Sequence, residues 1–287
     1  MKIPGFFVVE LTNRCNLRCP ACPWHTCMKR EIRDISLEEY RIILDKISPY
    51  AEAVCFYVMG EPFLNQHLEL IISETHKRGI RTIISTNGML LKENMPWIFE
   101  VGLDYIQVAL DGFTAESHEA YRKGSDFNQI MQGLNLISVK KKEGGYTKPE
   151  IALQTLVNRY NEQEITRIEE YAQKSGFTFH TKKMHYGREK KIQEINEKQF
   201  KPSSSDYLRQ VGKSYYSNGG ACPELDKVVI LSNGVVVACC IDYDGKTDLG
   251  NIFTQSLEQI WEGAKRKEFL KAYVERKNSF CEKCDMI

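Results

Sequence analysis

The chain carries ten cysteines, and nine of them fall into two groups near its ends. Cys15, Cys19 and Cys22 place three thiols within eight residues. Three thiolates so close can hold three irons of a 4Fe–4S cluster and leave the fourth open to a non-protein ligand. With His25 or Cys27 as a fourth donor they would also suit a tetrahedral zinc ion, so the motif by itself leaves both readings open. Cys222, Cys239, Cys240, Cys281 and Cys284 form the second group, enough for a fully ligated cluster or for structural zinc. Only Cys55 lies between the groups. A disulfide scaffold does not fit a chain of 287 residues with no secretion signal, so two metal sites are expected.

The bulk composition excludes several function classes. Hydrophobic residues make up 42% and charged residues 27%, as in an ordinary globular protein. Lys plus Arg number 39 against 38 Asp plus Glu, a balance that points to neither nucleic acid nor an anionic membrane. No apolar run reaches the roughly 18–20 residues of a membrane span, and the N-terminus has no signal-peptide layout. A cytoplasmic location is the expectation that follows.

The elements that must position these cysteines alternate in type. Phe6–Thr12 reads as a strand ending at the first cysteine loop, and Ser36-Leu37-Glu38-Glu39 as a capping box opening a helix with Leu37, Tyr40, Ile43 and Leu44 on one face. Further strands are expected at Ala53–Val58, Thr82–Ser85, Tyr105–Leu110, Glu150–Val157 and Phe177–Lys183, with helices between them. Six βα units in succession predict an α/β fold, a partial (β/α)6 barrel over residues 1–188 with ligands at the C-terminal ends of the strands. A polar stretch, 189–218, is expected to bridge to a small C-terminal domain, 219–287. There Val228–Ser232 and Val235–Cys240 flank Asn233-Gly234, a strong hairpin signal, and a helix is expected over Leu257–Tyr273.

Cys-x3-Cys-x2-Cys after the first strand of such a domain resembles the radical SAM superfamily, over essentially the whole chain. The resemblance implies that the open iron binds the amino and carboxylate groups of S-adenosylmethionine. Reductive cleavage then yields a 5′-deoxyadenosyl radical that abstracts hydrogen from a substrate. Met59-Gly60-Glu61-Pro62 is similar to the family's Gly-Gly-Glu-Pro turn, with Met59 in place of the first glycine. Thr86-Asn87-Gly88, Asp111-Gly112 and Leu156-Val157-Asn158 match segments that line the same cofactor site, with Ala109 where relatives often have serine. Ala21 stands where an aromatic residue is usual, with Trp24 nearby. Arg122 is either a partner of the cofactor carboxylate or an exposed helix arginine.

Cys222-x11-Gly234-x4-Cys239, then Leu249-Gly250-Asn251-Ile252 and Cys281-x2-Cys284, resembles the SPASM and twitch iron–sulfur regions in their single-cluster form, as in members that oxidise aminocyclitols. The resemblance thus implies two 4Fe–4S clusters, with Cys222, Cys239, Cys281 and Cys284 on the second, and an electron donor such as flavodoxin or ferredoxin. Cys240 then stands on the opposite face of a strand from Cys239, as a small core residue or as a thiol that donates hydrogen to a substrate radical. Electron transfer from the substrate radical would oxidise an alcohol to a ketone; hydrogen return would epimerise it. With the first strand near Phe6, no leader-recognition domain is expected. That favours a sugar, an aminocyclitol or another small molecule, with a peptide-modifying maturase (epimerase or crosslinking) as the alternative reading. The run His180–His185 with Arg188, Lys190 and Lys191 offers either a phosphate-facing patch or solvated surface. A non-catalytic iron–sulfur carrier or zinc-stabilised binding module is the reading from another class.

Overall fold

The computed structural model describes residues 2–184, 189–209, 214–217, 219, 221–282 and 284. Along the chain the elements are β1 (Phe6–Val9), α1 (Pro23–Thr26), α2 (Leu37–Ile47), β2 (Ala53–Phe56), α3 (Leu68–Lys77) and β3 (Arg81–Thr86). There follow α4 (Leu91–Ile98), β4 (Tyr105–Ala109), α5 (Ala115–Tyr121), α6 (Phe127–Gly144), β5 (Glu150–Leu156), α7 (Ile165–Ser175) and β6 (Thr178–Lys182). The last third holds α8 (Lys190–Ile195), β7 (Val228–Ile230), β8 (Val235–Val237), β9 (Asp248–Asn251), α9 (Leu257–Trp261), α10 (Ala264–Val274) and α11 (Ser279–Glu282). Strands 1–6 each have a helix after them, as the alternation of segments predicts. Among the described residues no helix is long and apolar enough to cross a membrane.

The chain divides into two compact units. The first comprises Met1–Arg14, Met28–Thr82 and Gln210–Ile287. In it β1 pairs in parallel with β2 and with β7, while β7, β8 and β9 run antiparallel, giving the order β2-β1-β7-β8-β9. The second comprises Cys15–Cys27 and Ile83–Arg209, where β3, β4, β5 and β6 are parallel neighbours in that order. Parallel strands buried on both faces read as apolar runs, and Phe7, Val8, Val9, Val54, Phe56 and Ile106 are all wholly buried.

Local signals explain most boundaries. Ser36 accepts from the Glu39 amide at 3.1 Å and the Glu39 carboxylate accepts from the Ser36 amide at 3.0 Å, the reciprocal cap expected at the start of α2. The turn between β7 and β8 is closed by Gly234 N–H to the Leu231 carbonyl at 2.8 Å, with Gly234 at φ +80°. It is a turn followed by a left-handed glycine, one residue longer than the two-residue hairpin that Asn233-Gly234 suggests. The helix expected over Leu257–Tyr273 is two helices, α9 and α10, broken at Glu262-Gly263. The stretch after β6 is polar in composition but structured: α8 and a π-turn at Asn196–Phe200 bury Ile192 and Phe200 against Leu17, Cys19, Ala21 and Tyr121.

Candidate functional site

The three-cysteine loop lies in the second unit. Its chain turns so that Cys22 N–H donates to the Cys19 carbonyl at 3.1 Å, and Cys22 then caps α1, its own carbonyl accepting from His25 and Thr26. The Leu17 amide points at the Cys15 sulfur at 3.4 Å. Asn87, after β3, aims its Nδ2 at Cys15 Sγ, 4.0 Å away, and at Asn16 Oδ1, 2.8 Å away. Burial pushes the Cys22 thiol up to about 12, and the neighbouring Cys19 and Cys15 thiols add to the shift. Burial also raises Cys19, against the opposing charge of Arg122. Among the described residues no set of three ligating atoms that includes these thiols falls within 4.8 Å, the spacing that a single ion would gather. Three thiols, with the Leu17 and Asn87 amide groups directed at the Cys15 sulfur, are donors of the kind a 4Fe–4S cluster takes.

Behind the loop stands a buried ionic group. Asp111, wholly buried after β4, accepts from Arg122 Nε at 2.5 Å and from the Leu156 amide at 2.7 Å. Burial works against the Arg122 charge, but Asp111 and Cys19 hold its pKa above the usual guanidinium value. Arg122 is thus a half-shielded C-cap of α5 facing Asp111 and Cys19, not an exposed helix arginine. The Asp111 amide donates to His118 Nδ1 at 3.1 Å, which places the ring proton on Nε2. That Nε2 is buried without a hydrogen-bond partner among the described residues. Asn158 uses its amide inside its own turn, donating to the Leu156 carbonyl at 3.2 Å and accepting from Tyr160 at 2.9 Å. Asn161, which no motif singles out, donates to the carbonyls of Asp111 and Leu156, both at 3.0 Å. Thr86 likewise accepts from Gly88 N–H at 3.1 Å, so these polar side chains build the turns of the strand ends.

His118 carries a pH prediction. Burial pulls its pKa down to about 4, from an ordinary value of about 6.5. As pH falls, the unfolded chain takes up this proton first, so the stability held above pH ~6.5 drains away towards pH ~4, by roughly 3 kcal/mol in all. Between pH 7 and 5.5 the loss is about 1 kcal/mol. Urea titrations of the wild type and His118→Asn check this: the amide oxygen can replace Nδ1, and the variant should lose that part of the pH slope. Parallel slopes would rule the histidine out as the source.

The Gly-Glu-Pro turn belongs to the first unit. Gly60 sits at φ +80°, and a Cβ there would meet the Thr12 carbonyl oxygen at 2.4 Å and that of Arg14 at 2.6 Å. Glu61 N–H donates to the Arg14 carbonyl at 2.7 Å, and its buried carboxylate accepts from Phe63 N–H at 3.3 Å. Pro62 opens a short 3-10 turn. The turn is thus clamped to the backbone immediately before Cys15, and only glycine fits the cradle.

The second cysteine group also lies in the first unit. Burial raises Tyr273, and the charges of Cys222, Cys281 and Cys284 add to the shift. Cys284 N–H donates to the Cys281 carbonyl at 3.1 Å. Cys239 and Cys240 do not face opposite ways, as strand alternation predicts. β8 ends at Val237, and in the turn beyond it both thiols and the Glu224 carboxylate bring their ligating atoms within 4.8 Å of one another. Cys240 Sγ donates to Glu224 Oε2 at 3.2 Å, and Lys227 Nζ reaches Glu224 Oε1 at 2.6 Å. Half-buried Tyr57 packs against the same apolar cluster as Cys240, and burial, with that thiol, raises its pKa. The bond to Cys240 and burial likewise raise Cys239, and burial raises Cys55. Glu224 and Tyr57 are absent from the sequence reading. Alternation from Cys55 to Tyr57 and the Cys-Pro-Glu run were the available signals.

The charge run after β6 is solvated where it is described. Lys182, Lys183, Lys190 and Lys191 are exposed, and Lys190 faces Glu194 at 4.0 Å. His180 bonds Gln154 and Gln107 of the sheet at 3.0 and 3.2 Å. His185 and Arg188 lie outside the described residues.

Comparison with known proteins agrees with this geometry. The profile of the radical SAM superfamily matches residues 9–172, and that of the SPASM iron–sulfur cluster-binding domain matches residues 222–285. The Fe-coproporphyrin III synthase of Methanosarcina barkeri (strain Fusaro) is 30% identical over 164 residues, covering 56% of this chain and 39% of that protein. The chain thus spans less than half the length of this relative. Among solved structures, BtrN in complex with AdoMet and 2-DOIA superposes with a TM-score of 0.59 at 18% identity, covering 99% of this chain and 92% of that one. Streptococcus suis SuiB bound to precursor peptide SuiA gives 0.68 at 14% identity, covering 99% and 70%. The matched domains imply S-adenosylmethionine, a 4Fe–4S cluster and auxiliary iron–sulfur binding, for which the loop thiols, the Gly60 cradle and the C-terminal cysteines are fitting residues. With one profile over more than half of its length and the cluster-binding domain after it, this chain belongs to the radical SAM superfamily of enzymes.

Proposed function

We propose that the enzyme epimerises a carbon centre of a small molecule, a sugar or aminocyclitol, with Cys240 as the hydrogen donor. One observation carries this reading: the Cys240 thiol is held by Glu224 beside the Cys239 sulfur, and we assign Cys239, not Cys240, to the four-cysteine cluster. When bound, the cofactors supply the 5′-deoxyadenosyl radical that takes a hydrogen atom from the substrate. Cys240 gives its S–H hydrogen to the resulting carbon radical from the other face. The sulfur radical left behind returns to thiol with one proton and one electron, the electron coming from a reduced flavodoxin or ferredoxin. Glu224, fixed by Lys227, holds Cys240 in place. Cys15, Cys19 and Cys22 are assigned to the initiating cluster, and Cys222, Cys239, Cys281 and Cys284 to the auxiliary one. The residues we assign to S-adenosylmethionine are Gly60, Glu61 and Pro62 in the first unit, and Thr86, Asn87, Asp111, Arg122, Leu156 and Asn158 in the second. The fold is shared with BtrN in its complex with AdoMet and 2-DOIA, and with SuiB in its complex with the precursor peptide SuiA.

The test is turnover in deuterium oxide with a panel of amino sugars and aminocyclitols. One solvent deuterium should enter the recovered, stereoinverted product. Cys240→Ser should still form 5′-deoxyadenosine yet deliver no inverted product. A product two mass units lighter, without solvent deuterium, would instead establish dehydrogenation. Turnover of peptides alone would move the substrate class.

A further inference from the structure

The first unit holds a buried ion pair that no cysteine motif or cofactor segment includes. Glu10, one residue past β1, is wholly buried, and the Arg30 side chain is 9% exposed. Arg30 grips the carboxylate with both terminal nitrogens, Nη2 to Oε1 at 2.6 Å and Nη1 to Oε2 at 2.8 Å. Each carboxylate oxygen takes one further donor. Oε1 accepts the Met59 amide at 3.2 Å, and Oε2 accepts the Ser232 amide at 3.0 Å. Arg30 Nε donates in turn to the Tyr243 carbonyl, and the adjoining Lys29 amide donates to Asp244 Oδ1 at 2.9 Å.

Such a pair is poorly explained as a source of stability. Removing two charges from water costs about as much as their attraction returns, and an apolar pair of equal volume often does better. A carboxylate with four acceptor directions, all used, does something an apolar pair cannot: it fixes the directions of the groups around it. Here those groups come from distant parts of the sequence. Met59 precedes Gly60-Glu61-Pro62, Ser232 lies in the β7–β8 turn, and Tyr243 follows Cys239 and Cys240 by a few residues. Glu10 itself ends the strand that leads to Cys15.

We propose that Glu10 and Arg30 are a positioning pair. They hang the turn that receives the S-adenosylmethionine amino group and the hairpin of the auxiliary cysteines from one carboxylate, so that ordering either favours the other. Neither residue touches cofactor or substrate. The inference does not depend on whether the product is epimer or ketone.

Glu10→Gln is the first test, since it keeps the shape and replaces one acceptor oxygen by a donor. Equilibrium dialysis of the reconstituted protein should show S-adenosylmethionine bound about tenfold more weakly, the scale typical of a lost supporting hydrogen bond, with iron and sulfide unchanged. KM for S-adenosylmethionine should rise while kcat for 5′-deoxyadenosine stays within about twofold. Hydrogen–deuterium exchange over residues 228–247, slowed by S-adenosylmethionine in the wild type, should no longer respond. Should this variant fail to hold iron, Arg30→Lys decides, because it keeps the charge and gives up the fork. Wild-type affinity and an unaltered exchange response in either iron-replete variant would overturn the proposal.

Discussion

Replacing Cys15, Cys19 and Cys22 together by alanine is expected to abolish 5′-deoxyadenosine formation and to lower iron from about eight to about four per chain after reconstitution. The reasoning rests on two separate donor sets. In the loop, Cys19 and Cys15 lie near enough to Cys22 to add to the rise that burial gives its thiol. The roughly four irons expected to remain are those we assign to Cys222, Cys239, Cys281 and Cys284. The loop itself should survive the change, because Leu17, Ala21, Tyr121 and Phe200 supply much of its packing. Anaerobic iron and sulfide analysis, with the nucleoside followed by chromatography, reads both effects. Retention of about eight irons would mean that the loop is not a cluster ligand set. Zinc in the wild type would remove the cluster assignment altogether.

The largest stability effect is expected at Asp111. Asp111→Ala leaves the Arg122 guanidinium without its buried counter-charge and the Leu156 amide without its acceptor. Breaking one side of a buried pair costs about 3–5 kcal/mol, far more than the pair contributes over an apolar substitute. The double variant Asp111→Ala/Arg122→Met should therefore be more stable than the single one. Urea unfolding followed by circular dichroism compares them. If the double variant is as unstable as the single, the loss comes from the strand-end turn and not from the stranded charge.

Much of this protein is legible in short stretches of sequence. Cys-x3-Cys-x2-Cys, the Ser36–Glu39 capping box, the βα alternation from Phe6 to Lys182 and the Asn233-Gly234 turn are all encoded within a few residues. Bonded geometry and local hydrogen bonding act over that range, so spacing suffices to read them. What lies outside the reading depends on contacts between distant segments. Glu10 and Arg30 are charged residues 20 apart, and in a sequence such residues read as surface. Tyr57, Glu224 and Cys240 come from three separate elements, and only folding puts them in one pocket. Cys239 and Cys240 were expected on opposite faces because alternation was carried past the true end of β8. The strand stops at Val237, the chain turns, and both thiols face Glu224. The sequence by itself determined the kinds of element and the kinds of ligand. Burial and long-range packing decided which charges were paired, which thiols were neighbours and which carboxylate holds the turns in place, since desolvation makes a polar group dependent on whatever partner the fold brings to it.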